Sequence, residues 1–121
     1  MIRGIGIDLV EVERFGIVQH HKKFLRQILT DKEIGTLPRG PSKAASLSSM
    51  FAVKEACLKA LGCGLHYGSY WKSMDLSQAG RIRLSGTLHN FMERKSRSRI
   101  HLSRSSSKKY SIAFVLIEEQ S

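Results

Sequence analysis

The chain has 121 residues, of which 20 are Lys or Arg and 10 are Asp or Glu, giving a formal charge of +10. This length predicts a single domain spanning residues 1–121, with an adequate core that an oligomer interface would help to stabilise. No apolar run reaches the roughly 18 residues of a membrane span and the N-terminus lacks a signal peptide's charged and apolar regions, so we expect a cytosolic protein. The two cysteines, Cys57 and Cys63, lack the paired spacing of a zinc site and are expected to be reduced thiols. The positive charge favours polyanionic partners.

The first segment, residues 2–10, alternates with the two-residue period of a β-strand. One face of this strand carries the apolar residues Ile5, Ile7 and Leu9. The opposite face carries Gly4, Gly6 and Asp8. Two positions without side chains beside a carboxylate leave room for a neighbouring backbone, or for a ligand with its metal. The simpler alternative is that the glycines admit a packed helix and that Asp8 caps the segment that follows.

Short helices are predicted after this strand. Apolar residues at helical spacing, interrupted near His20 and His21, are Phe15, Val18, Phe24, Leu25 and Ile28. Thr30 and Glu33 have the spacing of a capping box, in which the threonine side chain accepts from the backbone and the glutamate reaches back. A short helix is therefore expected to begin at Thr30 and to end at the run Pro38-Arg39-Gly40-Pro41.

The most informative segment is a predicted helix over residues 43–61 that ends at Gly62, a residue suited to the left-handed cap. Its apolar stripe contains Leu47, Met50, Phe51, Leu58 and Leu61. Lys54 falls inside this stripe, so we expect its ammonium group to extend outward along its stem, the alternative being an acidic partner. Glu55 and Lys59 lie at the edge of the stripe one turn apart. There they either form an ordinary ion pair or reach a common point beyond the helix.

The remaining pattern completes an α+β fold, with a small, mainly antiparallel sheet packed on the long central helix and on shorter helices. The predicted elements follow in order: a loop through Gly64 and Gly68, strands at 71–76 and 81–84, a helix at 87–94 and a final hairpin. The last strand, residues 110–117, is mostly apolar, so we expect it to be central or heavily buried.

A basic, serine-rich tract supports a different function. From Arg81 to Lys109 the only acidic residue is Glu93, and residues 96–99 and 103–109 have an arginine-serine composition. Such segments are typical of nucleic-acid binders. Apolar residues nevertheless recur at strand spacing between them, and the two segments lack aromatic side chains on which bases stack. A solvated sheet edge and hairpin loop is therefore the commoner explanation.

Three segments of the chain form a combined motif: residues 4–15 (GIGIDLVEVERF), 28–33 (ILTDKE) and 51–56 (FAVKEA), the last continuing to Gly64. In their order and separation they resemble holo-acyl-carrier-protein synthase, the small, single-unit type of 4′-phosphopantetheinyl transferase. The resemblance extends over almost the whole chain and weakens after about residue 65. It implies the family's fold and a homotrimer in which the coenzyme lies in clefts between adjacent subunits.

The resemblance also implies roles for individual residues. Asp8 and Glu55 match two acidic residues that hold the catalytic magnesium together with the pyrophosphate of coenzyme A. Magnesium usually accepts one or two carboxylates, with water and phosphate completing its shell. Lys59 matches a lysine near the phosphates, where its charge stabilises negative charge on the leaving group. Gly62 and Gly64 match a turn that lets the backbone approach the coenzyme.

The implied reaction is attack by a serine hydroxyl of an acyl carrier protein on the β-phosphorus of coenzyme A. It transfers the 4′-phosphopantetheine arm and releases adenosine 3′,5′-bisphosphate, a step of fatty acid biosynthesis. We expect Asp8, Glu55 and Lys59 to be catalytic, with Glu55 helping to remove the serine proton directly or through a water. The family's base does not transfer securely to any single residue of this chain.

The resemblance also implies a docking surface for the acidic carrier protein. In the family this surface lies on the first helix, and we expect it to be basic with an apolar centre. The matching positions here are Arg14, Lys22, Lys23, Phe24 and Arg26, with Phe51 nearby. The alternative for these residues is a solvated basic face with two core phenylalanines. No membrane or nucleic-acid partner is expected with this function.

The chain departs from the family at four places. Met50 stands where arginine is common, Cys63 where threonine is usual, and Gly80-Arg81-Ile82 where the family has Gly-Lys-Pro. Ser106 occupies the histidine position of a Ser-x-Ser-His-Asp segment, so Arg104 or Lys108 would have to supply the missing cation. We predict phosphopantetheinyl transfer; the alternatives are a basic nucleic-acid-binding module and a catalytically impaired homologue that binds the carrier without modifying it.

Overall fold

The computed structural model of the chain describes residues 1–63, 70–78 and 80–120. Its strands are β1 (Ile2–Glu11), β2 (Met74–Asp75), β3 (Arg83–Leu84), β4 (Ser98–Ser106) and β5 (Tyr110–Glu119). Its α-helices are α1 (Phe15–Val18), α2 (Lys22–Ile28), α3 (Asp31–Thr36), α4 (Ser42–Leu61) and α5 (Gly86–Lys95). Short 3-10 helices occupy Val12–Arg14 and Trp71–Ser73. No helix in these ranges is long and apolar enough to cross a membrane.

The main sheet has the strand order β1-β5-β4 and is antiparallel throughout. Asp8 of β1 lies opposite Ala113 of β5, which lies opposite Arg104 of β4. The expected central position of the last strand is confirmed, as is the α+β class. Strands β2 and β3 form a separate antiparallel ladder.

Helix α4 packs directly against the backbone of β1. A Cβ atom on Gly6 would lie 1.8 Å from the carbonyl oxygen of Ala56, and one on Gly4 would lie 1.9 Å from that of Ala60. Any side chain at either position would therefore force the strand and the helix apart. The space beside Asp8 is filled by the helix, which was one of the predicted explanations. Asp8 does not cap the next segment, because the Val12–Arg14 turn has no side-chain cap.

The two faces of the main sheet differ in their environment. The face against α4 contributes Val10, Ala113, Val115 and Ile117 to the buried core. On the opposite face Ile5, Ile7, Leu9 and Ile112 are each more than 40% exposed. The alternation in β1 is therefore confirmed, although its apolar side is the one that contacts solvent in the isolated chain.

The ends of the helices follow the predicted signals. Thr30 and Glu33 form the capping box at the start of α3, and α4 ends at Gly62, whose φ of 71° is left-handed. The predicted strand at 71–76 was wrong over its first half, where Trp71–Ser73 forms a 3-10 turn. Trp71 and Met74 are both buried, and their spacing of three residues suits such a turn better than a strand.

A fully buried ion pair connects α4 to the other helices. The Lys54 ammonium group donates to Glu33 Oε1 at 2.7 Å, to the carbonyl of Ile28 at 2.7 Å and to that of Trp71 at 2.9 Å. The Glu33 carboxylate also accepts from the backbone N–H groups of Thr30 and Leu76. The expectation that Lys54 extends outward is therefore wrong, and the alternative of an acidic partner is confirmed. Burial lowers the pKa of Lys54, and the hydrogen bond and charge of Glu33 oppose that change.

We predict that Lys54→Met destabilises the fold by about 3–5 kcal/mol, because the Glu33 carboxylate is left buried without its counter-ion. Lys59→Met is the matched control, since Lys59 forms a half-exposed pair whose loss costs about 1 kcal/mol or less. Urea unfolding at equal protein concentration measures both values. Equal losses in the two variants would contradict the structural importance of the buried pair.

Candidate active site

The close contact between β1 and α4 brings Asp8 and Lys59 together. Lys59 Nζ donates to Asp8 Oδ1 at 3.0 Å and to the carbonyl oxygen of Ile7 at 3.0 Å. The lysine side chain is 52% exposed, whereas that of Asp8 is 14% exposed. The ion pair therefore lies at the surface, with its carboxylate in the more protected position.

Glu55 lies one turn before Lys59 on the same flank of α4. Desolvation raises the pKa of Glu55, repulsion from the Asp8 carboxylate raises it further, and the charge of Lys59 opposes both effects. The three predicted residues thus form one electrostatic cluster. Its two carboxylates and one ammonium group leave a net negative charge next to the strand edge.

The cluster has the features of a site for a divalent cation. Within the described ranges, Asp8 Oδ2 is buried and has no hydrogen-bond partner. The same ranges contain no group of three or more His, Cys, Asp or Glu side chains able to hold a metal. Magnesium commonly takes only one or two carboxylates, with phosphate and water as its other ligands. Asp8 and Glu55 fit a magnesium ion that a phosphate ligand also contacts.

The predicted coenzyme turn is described only in part. Gly62 and Cys63 line a small cavity of about 150 Å³ together with Tyr70, Leu88 and Phe91. Among the described residues other than its chain neighbours, no atom lies within 4 Å of the Cβ position at Gly62. Gly64 and Gly68 lie outside the described residues. Coenzyme binding by Gly62 and Gly64 stays a prediction.

The predicted docking residues occupy two different environments. Phe51 is half-buried and packs between Phe15 and Trp71, with ring centroids 5.4 and 5.2 Å away. Phe24 is exposed on α2. Lys22 and Arg26, four residues apart on α2, line a cavity beside Ile34 and Lys43. The role of the six docking residues in carrier binding stays a prediction.

Three serine hydroxyl groups form a chain from the β4–β5 hairpin to α4. Ser106 Oγ lies 3.1 Å from Ser111 Oγ, which lies 2.7 Å from Ser48 Oγ on α4. His101 does not replace the missing histidine, because it bonds to Glu118 and lies five strand residues from Ser106, on the other face of the sheet. Arg104 lies on the same sheet face as Asp8, separated from it by β5.

Several functional contacts were not predicted from the sequence. The carbonyl of Ile7 as an acceptor for Lys59 and the serine chain from Ser48 to Ser106 depend on pairings between distant segments. The sequence offered no clear signal for the serine chain, because Ser48 lies in a serine-rich stretch and Ser111 follows two lysines and a tyrosine. The arginine-serine tract forms β4 and its turn, which confirms its interpretation as a sheet edge and hairpin.

Comparison with known proteins agrees with this geometry. The model of the 4′-phosphopantetheinyl transferase superfamily matches residues 4–115. The holo-acyl-carrier-protein synthase of Halothermothrix orenii is 35% identical over 98% of this chain and 99% of its own length. That of Mesorhizobium japonicum is 34% identical over 98% of this chain and 93% of its own length. The chain therefore belongs to the 4′-phosphopantetheinyl transferase superfamily, and within it to the holo-acyl-carrier-protein synthases, which are transferases.

Solved structures of this family share the fold. The Neisseria meningitidis holo-acyl-carrier-protein synthase has a TM-score of 0.85 at 28% identity, covering 98% of this chain and 100% of that protein. The Bacillus anthracis enzyme, in complex with CoA (3′,5′-ADP), has a TM-score of 0.77 at 29% identity and 99% coverage of both chains. The predicted transferase-like fold is confirmed.

We predict that Glu55→Gln stabilises the folded chain at pH 7.5 in the absence of divalent cations, because it removes a partly desolvated charge beside Asp8. A raised pKa means that stability falls as pH rises from the ordinary value of 4.5 through the folded-state value. The variant's advantage should therefore vanish near pH 3 and grow above pH 4.5. Thermal unfolding across this pH range measures it, with Glu13→Gln, at an exposed position, as the control. A variant less stable than the parent at pH 7.5 would contradict the proposed repulsion.

Proposed function

We propose that the chain transfers the 4′-phosphopantetheine arm of coenzyme A to a serine of an apo acyl carrier protein in a magnesium-dependent reaction. The observation that supports this best is the cluster of Asp8, Glu55 and Lys59 where α4 crosses β1. Two carboxylates supply oxygen ligands for the metal, and the lysine supplies a charge for phosphate oxygens. Adenosine 3′,5′-bisphosphate would be the second product.

Each member of the cluster has a distinct proposed role. Asp8 and Glu55 would hold the magnesium ion, which when bound would stabilise the negative charge that develops as the pyrophosphate bond breaks and adenosine 3′,5′-bisphosphate leaves. Lys59 is already oriented by Asp8 and the carbonyl of Ile7. Its exposed ammonium group can therefore pair with a phosphate oxygen at little entropic cost. Negative charge that develops on the leaving bisphosphate would be stabilised by this lysine.

Glu55 is the proposed acceptor of the serine proton, directly or through a water. Desolvation and the Asp8 carboxylate raise its pKa in the metal-free chain, and a magnesium ion held by the Glu55 carboxylate would lower it again. The proposed role of Glu55 as base therefore depends on its position beside the metal. Neither Asp8, which bonds Lys59, nor Lys59 itself is as well suited to accept a proton. The geometry thus favours Glu55 among the three.

Coenzyme A is the proposed co-substrate on the basis of related complexes. The Bacillus anthracis relative is in complex with CoA (3′,5′-ADP), and the Helicobacter pylori relative is in complex with coenzyme A. The latter has a TM-score of 0.77 at 28% identity and covers 94% of this chain. The cavity lined by Gly62, three residues after Lys59, is a suitable place for part of such a ligand.

A homotrimer is the proposed assembly, and the exposed sheet face supports it. Ile5, Ile7, Leu9 and Ile112 form a contiguous apolar surface on adjacent strands, and contiguous apolar patches of this kind mark interaction surfaces. If three subunits packed these faces together around an axis, the edge strand β1 of each subunit would lie near a neighbouring subunit. The cluster could then receive further cations from a neighbouring subunit.

We predict that incubation with apo acyl carrier protein, coenzyme A and magnesium increases the carrier's mass by one phosphopantetheine arm, as measured by intact mass spectrometry. Glu55→Gln should abolish the increase while the circular dichroism spectrum stays unchanged, and chelation of magnesium should have the same effect. Carrier binding without a mass increase would support the impaired homologue. Near-normal turnover by the Glu55→Gln variant would remove Glu55 from the mechanism.

The carrier is proposed to dock on an exposed basic surface formed by Arg14 of the Val12–Arg14 turn and by Lys22, Lys23, Phe24 and Arg26 of α2, with Phe51 nearby. An acidic carrier would be attracted to this face over a distance that depends on ionic strength.

We predict that the double reversal Arg14→Glu/Lys23→Glu raises the KM for the carrier at least about tenfold and flattens its salt dependence, with little change in the KM for coenzyme A. The same reversal at the exposed Arg94 and Arg97 is the control for net charge. Steady-state kinetics at several salt concentrations provide the measurement. Identical carrier kinetics in both double variants would exclude this face.

A further inference from the structure

A concave basic surface lies between α2, α3 and the start of α4. Two adjoining cavities of about 650 and 340 Å³ share Gln19, His20, Ile34 and Lys43 in their linings. Positively charged or titratable side chains surround them: His20, Lys22, Arg26, Arg39 and Lys43. We call these five residues and the space between them the basic cavity. No carboxylate lines either cavity among the described residues.

We propose that the basic cavity binds a small phosphate-bearing anion. The five side chains come from four separate segments: the α1–α2 connection, helix α2, the α3–α4 connection and the first turn of α4. Folding brings them to one surface, with no carboxylate among the lining residues that the structure describes. An anion bound there would offset this concentration of positive charge. Phosphate oxygens suit the set, because arginine presents paired N–H donors and lysine a compact charge.

The cavity also has features that favour an organic phosphate over a bare ion. Leu25, Ile34 and Leu37 provide apolar surface between the cations. The first turn of the 20-residue helix α4 borders the cavity at Pro41 and Lys43 and lacks a side-chain cap. Its dipole adds positive potential to that of the side chains.

The basic cavity is separate from the proposed catalytic cluster. Lys43 and Glu55 are 12 residues apart on α4, which corresponds to about 18 Å along the helix axis. A phosphate in the cavity is therefore not the one held at Asp8 and Glu55. The cavity overlaps the proposed carrier-docking face at Lys22 and Arg26, but Arg39 and Lys43, which also line it, lie outside that face.

The test uses inorganic pyrophosphate as the probe, with the full chain, EDTA and constant ionic strength. Calorimetric titration should detect binding, and amide shifts in a ¹⁵N spectrum should centre on residues 39–43 and His20. Arg39→Gln/Lys43→Gln should weaken binding at least about tenfold, because two charge-assisted contacts are lost. Arg94→Gln/Arg97→Gln removes the same charge away from both cavities and should change affinity less than about twofold.

Three results would overturn the proposal. They are the absence of pyrophosphate binding, amide shifts that centre on Asp8 and Lys59, and equal weakening in the two double variants. A raised carrier KM in Arg39→Gln/Lys43→Gln without pyrophosphate binding would assign the cavity to carrier docking and likewise overturn it. Because the titration contains neither carrier nor coenzyme A, its outcome is independent of whether the chain transfers phosphopantetheine.

Discussion

The buried ion pair between Lys54 and Glu33 determines how the helices are arranged. All three N–H donors of Lys54 are used, on α2, on α3 and on the turn at Trp71. A charge pair this deeply buried is tolerated only when its hydrogen bonds are complete, so small displacements of any partner are penalised. Helix α4 therefore has one favoured position relative to α2 and α3. Because Lys54 is next to Glu55, its ion pair fixes the helix that supplies Glu55 and Lys59.

A second constraint fixes α4 against the sheet. The absence of side chains at Gly4 and Gly6 lets the helix backbone touch the strand, and this contact places Lys59 within hydrogen-bonding distance of Asp8. Desolvation at this contact raises the pKa of Glu55, and the nearby Asp8 carboxylate raises it further. A site that is electrostatically unfavourable when empty is common where function requires a bound cation or substrate. The close contact between α4 and β1 thus both holds the cluster in place and makes its electrostatics unfavourable.

Much of this arrangement was predictable because its signals are local. The period of β1, the capping box at Thr30 and the left-handed cap at Gly62 each depend on neighbouring residues, and all three are observed. The partner of Lys54 was not predictable, since Glu33 is 21 residues away and its spacing already indicated a capping role. The turn at Trp71 was mistaken for a strand because a short apolar run has no clear period. Asp8, Glu55 and Lys59 could be proposed from motifs. That they lie together became clear only from the contact of Gly4 and Gly6 with α4.

The serine chain at the β4–β5 hairpin shows what Ser106 can offer a ligand at the position where the family resemblance implies a histidine. Ser48 donates its one hydroxyl proton to the carbonyl of Ala45, so Ser111 must donate to Ser48, and Ser106 must in turn donate to Ser111. Ser106 is left with only acceptor lone pairs for any ligand. A phosphate, itself an acceptor, gains nothing from such a group. Positive charge for the proposed coenzyme must therefore come from Lys59, from the metal held by Asp8 and Glu55, and from cations such as Arg104 rather than from Ser106.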